Sequence, residues 1–149
     1  MPTDRPPVFR QARSADIPAM SSIRLSVTEN ILSDPSRVTE TMYEDYLDVA
    51  GRGWVAEIDG SVVAFCYAAR HDGSIWALFV RPGSEGQGLA KTLLGLAVDW
   101  IFALGHQSVK LDTTRGTRAD SFYAMQGWQR RLVSETKVEY TLHRSVTRD

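Results

Sequence analysis

Residues 78 to 90, Leu78-Phe79-Val80-Arg81-Pro82-Gly83-Ser84-Glu85-Gly86-Gln87-Gly88-Leu89-Ala90, decide the fold. An apolar run of β character ends at Pro82. The glycines Gly83, Gly86 and Gly88 follow, and a long amphipathic pattern begins at Leu89. A strand-to-helix junction of this kind turns several backbone N–H groups one way at the positive end of a helix dipole. Such a group of donors binds anions, most often phosphates, without needing a basic side chain.

The flanks extend this pattern. Upstream, Trp54 to Ile58, the turn Asp59-Gly60, and Ser61 to Arg70 read as a tight hairpin. A second turn, Asp72-Gly73, leads into a strand from Ser74 to Arg81. Downstream, Leu89, Leu93, Leu96, Ala97, Trp100, Ile101 and Leu104 keep helical spacing, and Gly105 supplies the stop. Ser108 to Thr114 is a strand, Arg118 to Gln126 a short helix ended by Gly127, and Trp128 to Val133 and Thr136 to Leu142 two final strands. Near the start, Val8 to Ala12 can form a strand. Ser14 and Asp16 offer N-cap chemistry for a helix through Met20, Ile23, Leu25 and Val27 to about Ile31. Asp34-Pro35-Ser36 breaks that helix, and Thr39 starts another to about Val49, with Met42, Tyr46 and Leu47 on its apolar side. The order β-α-α-β-β-β-α-β-α-β-β defines an α/β (α+β) fold. It predicts one twisted, mostly antiparallel sheet of about seven strands with about four helices and a single β-α-β crossover.

The chain has 149 residues, which suits one domain over 1–149. Its net charge of −1 gives no attraction to nucleic acid or to an anionic membrane. Arg115, Arg118, Arg130 and Arg131 cluster late, but acidic residues lie among them and a solvated surface is the reading. No apolar run approaches the ~20 residues of a bilayer span, and Met1 to Arg10 lacks a signal-peptide core. Cys66 is the single cysteine, so no intramolecular disulfide forms. It sits in the apolar run Val62 to Ala69 and reads as a packing residue. A cytoplasmic location is the expectation.

Other anion-binding turns fit poorly. Gly83 and Gly88 are five apart, but the NTPase loop needs Lys directly after the second glycine, and that place is Leu89. The dinucleotide fingerprint lacks its third glycine, at Lys91. His71, His106 and His143 are scattered without metal-ligand spacing, and no Gly-x-Ser-x-Gly elbow occurs.

The stretch VRPGSEGQGLAKTLL, followed about thirty residues later by RADSFYAMQGW, resembles the GCN5-related N-acetyltransferase (GNAT) family. The element order matches over nearly the whole chain. In that family a Gln or Arg, two residues, Gly, one residue and Gly or Ala lie between strand and helix; here those places are Glu85, Gly88 and Ala90. The resemblance implies acetyl-CoA as donor, held through its pyrophosphate by N–H groups of Gly86, Gln87, Gly88, Leu89, Ala90 and Lys91. It also implies that the backbone around Leu78, Phe79 and Val80 meets the pantetheine arm like an added strand. Two positions depart from the pattern. Glu85 is acidic beside a phosphate site and would have to turn its carboxylate outward. Gly116 stands where the family often has Asn, so that contact is missing or supplied by Thr114 or Thr117.

By the same resemblance Tyr123 sits near the cofactor sulfur and protonates the departing thiolate. Motif position favours this role over simple packing with Phe122 and Trp128, which read as core. The acceptor must be a neutral amine, and Glu29, Glu57, His71 and Asp112 are candidate bases. Family members take acceptor contacts from the first two helices and their loop, which points to Arg24, Glu29, Asn30 and Tyr43, with Trp76 on the strand before the turn. The expected activity is acetyl transfer from acetyl-CoA to a primary amine, carried by a small molecule or a peptide. A catalytically inactive coenzyme-A-binding or interaction module is the alternative. No metal is implied, and the exposed final strands make a homodimer reasonable.

Overall fold

The computed structural model describes residues 6–26 and 50–144. In chain order these form β1 Val8–Gln11, a 3-10 turn Ser14–Asp16, α1 Ile17–Ser26, β2 Gly51–Ile58, β3 Ser61–Ala69 and β4 Ile75–Val80. Then come α2 Leu89–Ala103, β5 Ser108–Thr114, α3 Arg118–Met125, β6 Gln129–Leu132 and β7 Lys137–His143. The mixed α+β fold expected from the sequence is therefore present. The expected helix from Thr39 to Val49, and the Asp34-Pro35-Ser36 break before it, lie outside the described residues.

The two halves part where the sequence predicts one continuous sheet. The first sheet runs β1-β2-β3-β4 and the second β5-β7-β6, all named pairings antiparallel. Between β4 and β5 there is one parallel bridge, Ser74 to Lys110, with the Lys110 N–H donating to the Gly73 carbonyl at 3.2 Å. Beyond it the strands diverge. The β4-α2-β5 crossover carries the chain between the two halves, and the gap it leaves becomes the site.

The first sheet is covered on both faces, which is why β3 reads as an unbroken apolar run. Cys66 and Ala68 pack with Leu89, Leu93, Ala97 and Ile101 of α2. Phe65 and Tyr67 pack instead with Ile17, Met20 and Ile23 of α1. Burying the leucine, isoleucine, phenylalanine and methionine side chains among these contributes about 1.5–3 kcal/mol each. Cys66 is fully buried, as a packing residue should be. β2 starts at Gly51, earlier than the Trp54 read from the sequence. Its glycines disguise the strand, and Gly53 is needed there because a Cβ would overlap the Tyr67 ring. Asp16 acts as an N-terminal acceptor, taking the Arg13 N–H at 2.7 Å, and is also gripped by Arg10 through two bonds of 2.8 Å.

Candidate active site

The opening at the β4–β5 divergence is lined on one side by the glycine turn. Gly88 adopts φ +77°, and no side chain caps the helix α2 that follows. Its first-turn N–H groups therefore have no intrahelical partner and face outward. Gly86 has φ +79°. Only glycine takes up such angles cheaply, and a Cβ at either place would enter open space rather than protein. Pro82, Ser84, Glu85, Gly86, Gly88, Leu89, Ala90 and Lys91 form one wall of a cleft of about 530 Å³.

The opposite walls come from β4 and α3. The Arg81 N–H donates to Val63 of β3 at 2.7 Å. By strand alternation the N–H groups of Leu78 and Val80 then point away from β3, toward the edge that β5 has left. Leu78, Phe79, Val80, Arg118, Ala119, Phe122 and Tyr123 complete the lining. A cleft with a strand edge that is unpaired among the described residues, a run of outward N–H groups and two cations, Lys91 and Arg118, fits a long ligand with a phosphorylated end.

A second cleft of about 450 Å³ lies on the other side of the divergence. Arg24, Trp76, Asp112, Thr114 and Lys137 are on its walls, and it shares Leu78, Phe79, Ala119 and Tyr123 with the first. Tyr123 is thus the polar side chain common to both. It is buried, with ring centroids of Trp128 and Tyr140 at 5.9 and 5.5 Å. Burial pushes its phenol far above the usual range, and the neighbouring Cys66 adds to the shift. Burial raises the Cys66 thiol as well. At neutral pH Tyr123 is a hydrogen-bond donor and never a phenolate.

Helix α3 is held by Asp120, which is 7% exposed. Its carboxylate takes two bonds of 3.0 Å from Arg130, one of 2.5 Å from the Tyr140 hydroxyl and one of 2.9 Å from the Gly116 N–H. Arg130 above all, then Tyr140 and Gly116, hold the carboxyl well below the ordinary carboxylate range despite burial. Thr117 caps the helix, accepting the Asp120 N–H at 3.3 Å and donating to the Thr114 carbonyl at 2.7 Å. The Tyr140 ring also packs on Tyr123, so one network fixes the helix and the phenol it carries.

Several sequence expectations change here. Thr114 lines the second cleft, away from the glycine turn, and the Thr117 hydroxyl is taken up in the helix cap. The Gln87 side chain folds back on the Ser84 carbonyl at 3.2 Å. Glu85 stays in the lining of the first cleft, where its carboxylate takes the Gly83 N–H at 2.7 Å and Arg118 at 3.2 Å. The late arginines are more than a solvated surface: Arg130 holds Asp120, Arg131 pairs with Glu139 at 3.1 Å, and Arg118 lines the cleft. Among the candidate bases, Glu57 is tied to Arg10 at 2.5 Å, and His71 is exposed beside Asp72. Neither lines either of these two clefts, whereas Asp112 lines the second one, 3.5 Å from Lys137. Glu29, Asn30 and Tyr43 lie outside the described residues. Arg118, Ala119 and Phe122 lie in the same motif as Tyr123, but nothing in the sequence assigned them to the cleft.

A splayed α/β sheet with an uncapped helix start and a strand edge facing a cleft is a frame suited to a phosphorylated cofactor. Residues 18–128 match the family model for the Acetyltransferase (GNAT) family, and the chain belongs to that family. Among solved structures it is similar to the PaiA N-acetyltransferase of Thermoplasma acidophilum in complex with coenzyme A, at TM-score 0.79 and 14% identity over 94% of this chain and 100% of that one. It is also similar to a ribosomal-protein alanine N-acetyltransferase of Escherichia coli, at TM-score 0.75 and 16% identity over 96% and 97%. An N-acetyltransferase of Staphylococcus aureus superposes at TM-score 0.76 with 18% identity over 93% and 99%. At these identities the likeness is one of fold. No curated protein sequence matches the chain.

Proposed function

We propose that the 149 residues form one catalytic unit that transfers an acetyl group from acetyl-CoA directly to a primary amine. The observation that carries this reading is the pair of clefts meeting at Tyr123. Donor and acceptor can occupy the two at once, so no acyl-enzyme is required. Cys66 is unsuited to carry an acyl group, being fully buried with its thiol pushed up.

Acetyl-CoA supplies the activated acyl group as a thioester. The turn from Gly86 to Lys91 holds its pyrophosphate, and the outward N–H groups of Leu78 and Val80 bind and orient the pantetheine arm. A neutral amine enters from the second cleft, past Arg24 and Trp76, and Asp112 is the base candidate on that wall. Tyr123 donates its proton to the sulfur as the C–S bond breaks. In water a thiol near pKa 8.5 and a phenol near 10 differ by about 1.5 units, roughly 2 kcal/mol. Burial penalises both anions, so the gap remains small enough for donation to a thiolate that is itself desolvated.

Calorimetry with acetyl-CoA, followed by thiol release across a panel of small amines, amino acids and peptides, tests the proposal. Binding with release on at least one amine class is the expected result. Binding without release on any amine would favour an inactive coenzyme-A-binding module.

A further inference from the structure

Glu85 is the residue whose charge opposes the work of its own turn, and its surroundings give it a task. Its two carboxylate oxygens reach different sides of the first cleft. Oε1 accepts the Gly83 N–H within the turn, while Oε2 meets Nη1 of Arg118 at the start of α3, far away in sequence. A backbone N–H group and a guanidinium are donors of the kind that a phosphate group takes in such turns. Among the described residues, the charged ones lining this cleft are Glu85, Lys91 and Arg118. Glu85 is paired with Arg118, and among the described residues no ion pair is formed by Lys91.

We infer that Arg118 is a phosphate-binding residue for the donor and that Glu85 holds it at the cleft mouth while cancelling its charge. This rests on the proposed acetyl-CoA reading of the same cleft. A cofactor phosphate draws the guanidinium from the carboxylate, so affinity is set by the difference between two anions competing for one cation. The carboxylate also repels the phosphates directly. Glu85 thereby weakens cofactor binding and eases release of the product, which keeps all the phosphates of the donor. Gln at this position keeps the carbonyl acceptor for Gly83 and removes only the charge.

Calorimetry with coenzyme A as the probe reads this without any acceptor. At about 20 mM salt, Glu85→Gln should bind roughly three- to tenfold tighter than wild type, and the gap should fall below about twofold near 0.5 M salt. Arg118→Ala should bind correspondingly weaker, and adding Glu85→Gln to it should tighten binding much less than in the wild-type background. Repeating the Arg118→Ala comparison with 3′-dephospho-coenzyme A separates the phosphates. Loss of the effect assigns Arg118 to the 3′-phosphate, and persistence assigns it to the pyrophosphate. Equal or weaker binding by Glu85→Gln, or unchanged binding by Arg118→Ala, overturns the inference while leaving the acetyl-CoA reading in place. Wild-type protein that binds neither coenzyme A nor acetyl-CoA overturns both. Arg118 is exposed, with a side chain 68% accessible, and melting curves verify that the variants fold.

Discussion

Replacing Asp120 by Ala should loosen the helix that carries Tyr123, and the cost can be worked from its partners. The Gly116 N–H loses its acceptor, about 1 kcal/mol. Arg130 loses two charge-assisted bonds, but its side chain is 40% exposed and water replaces much of them, leaving about 1–2 kcal/mol. The Tyr140 hydroxyl retains its 2.7 Å bond to the Asp120 carbonyl and adds little. The sum is about 2–3 kcal/mol. For a chain of 149 residues this lowers Tm by roughly 4–12 °C at neutral pH. The pH dependence follows from the depressed carboxyl. At neutral pH Asp120 is ionised in both folded and unfolded chains and its contribution is complete. As pH falls below about 4 the unfolded carboxyl takes up a proton first, so wild type loses stability through this group and Asp120→Ala does not. Melting curves of both proteins at pH 7 and near pH 3 measure the difference. A neutral-pH loss below about 0.5 kcal/mol, or a gap that fails to narrow in acid, would refute the reasoning.

Tyr123→Phe should lower turnover by roughly ten- to a thousandfold while acetyl-CoA affinity holds, measured by thiol release and calorimetry on the same samples. Because the phenol is pushed up, wild-type turnover should show no descending limb near pH 10; one that vanished in Tyr123→Phe would contradict the raised phenol, though not the assigned acid. Gly88→Val should abolish cofactor binding, since a branched side chain at φ +77° strains the turn and fills the space a phosphate needs; retained affinity would remove the turn from the cofactor site. Gly53→Ala should cost about 1–3 kcal/mol, because its Cβ would overlap the Tyr67 ring, and urea titration checks it.

The elements with strong periodicity were legible in the chain itself. Leu89, Leu93, Ala97 and Ile101 mark α2 because an apolar stripe must recur at 3.6 residues to face one sheet. Ser108–Thr114 appears at its predicted bounds because its alternation is clean. The start of β2 was hidden, since a glycine kept for a distant ring looks locally like a break. The parting of the sheets left no trace in any single segment, for it depends on which strand edges pair.

For the site, local backbone chemistry was readable and long-range partnership was not. Three glycines before a helix state an anion-binding turn without reference to the rest of the chain, because the demand for positive φ is local. That Tyr123 belongs with this turn rested on family resemblance, and the structure supplies the cause: the β4–β5 divergence brings both clefts to its hydroxyl-bearing ring. The fates of Glu85, Arg118 and Asp120 were decided by tertiary structure alone. A carboxylate's effect depends on the cation that meets it, and here Arg118 lies thirty-three positions from Glu85 and Arg130 ten from Asp120. Sequence fixes the charges these residues carry, and the fold determines which of them meet.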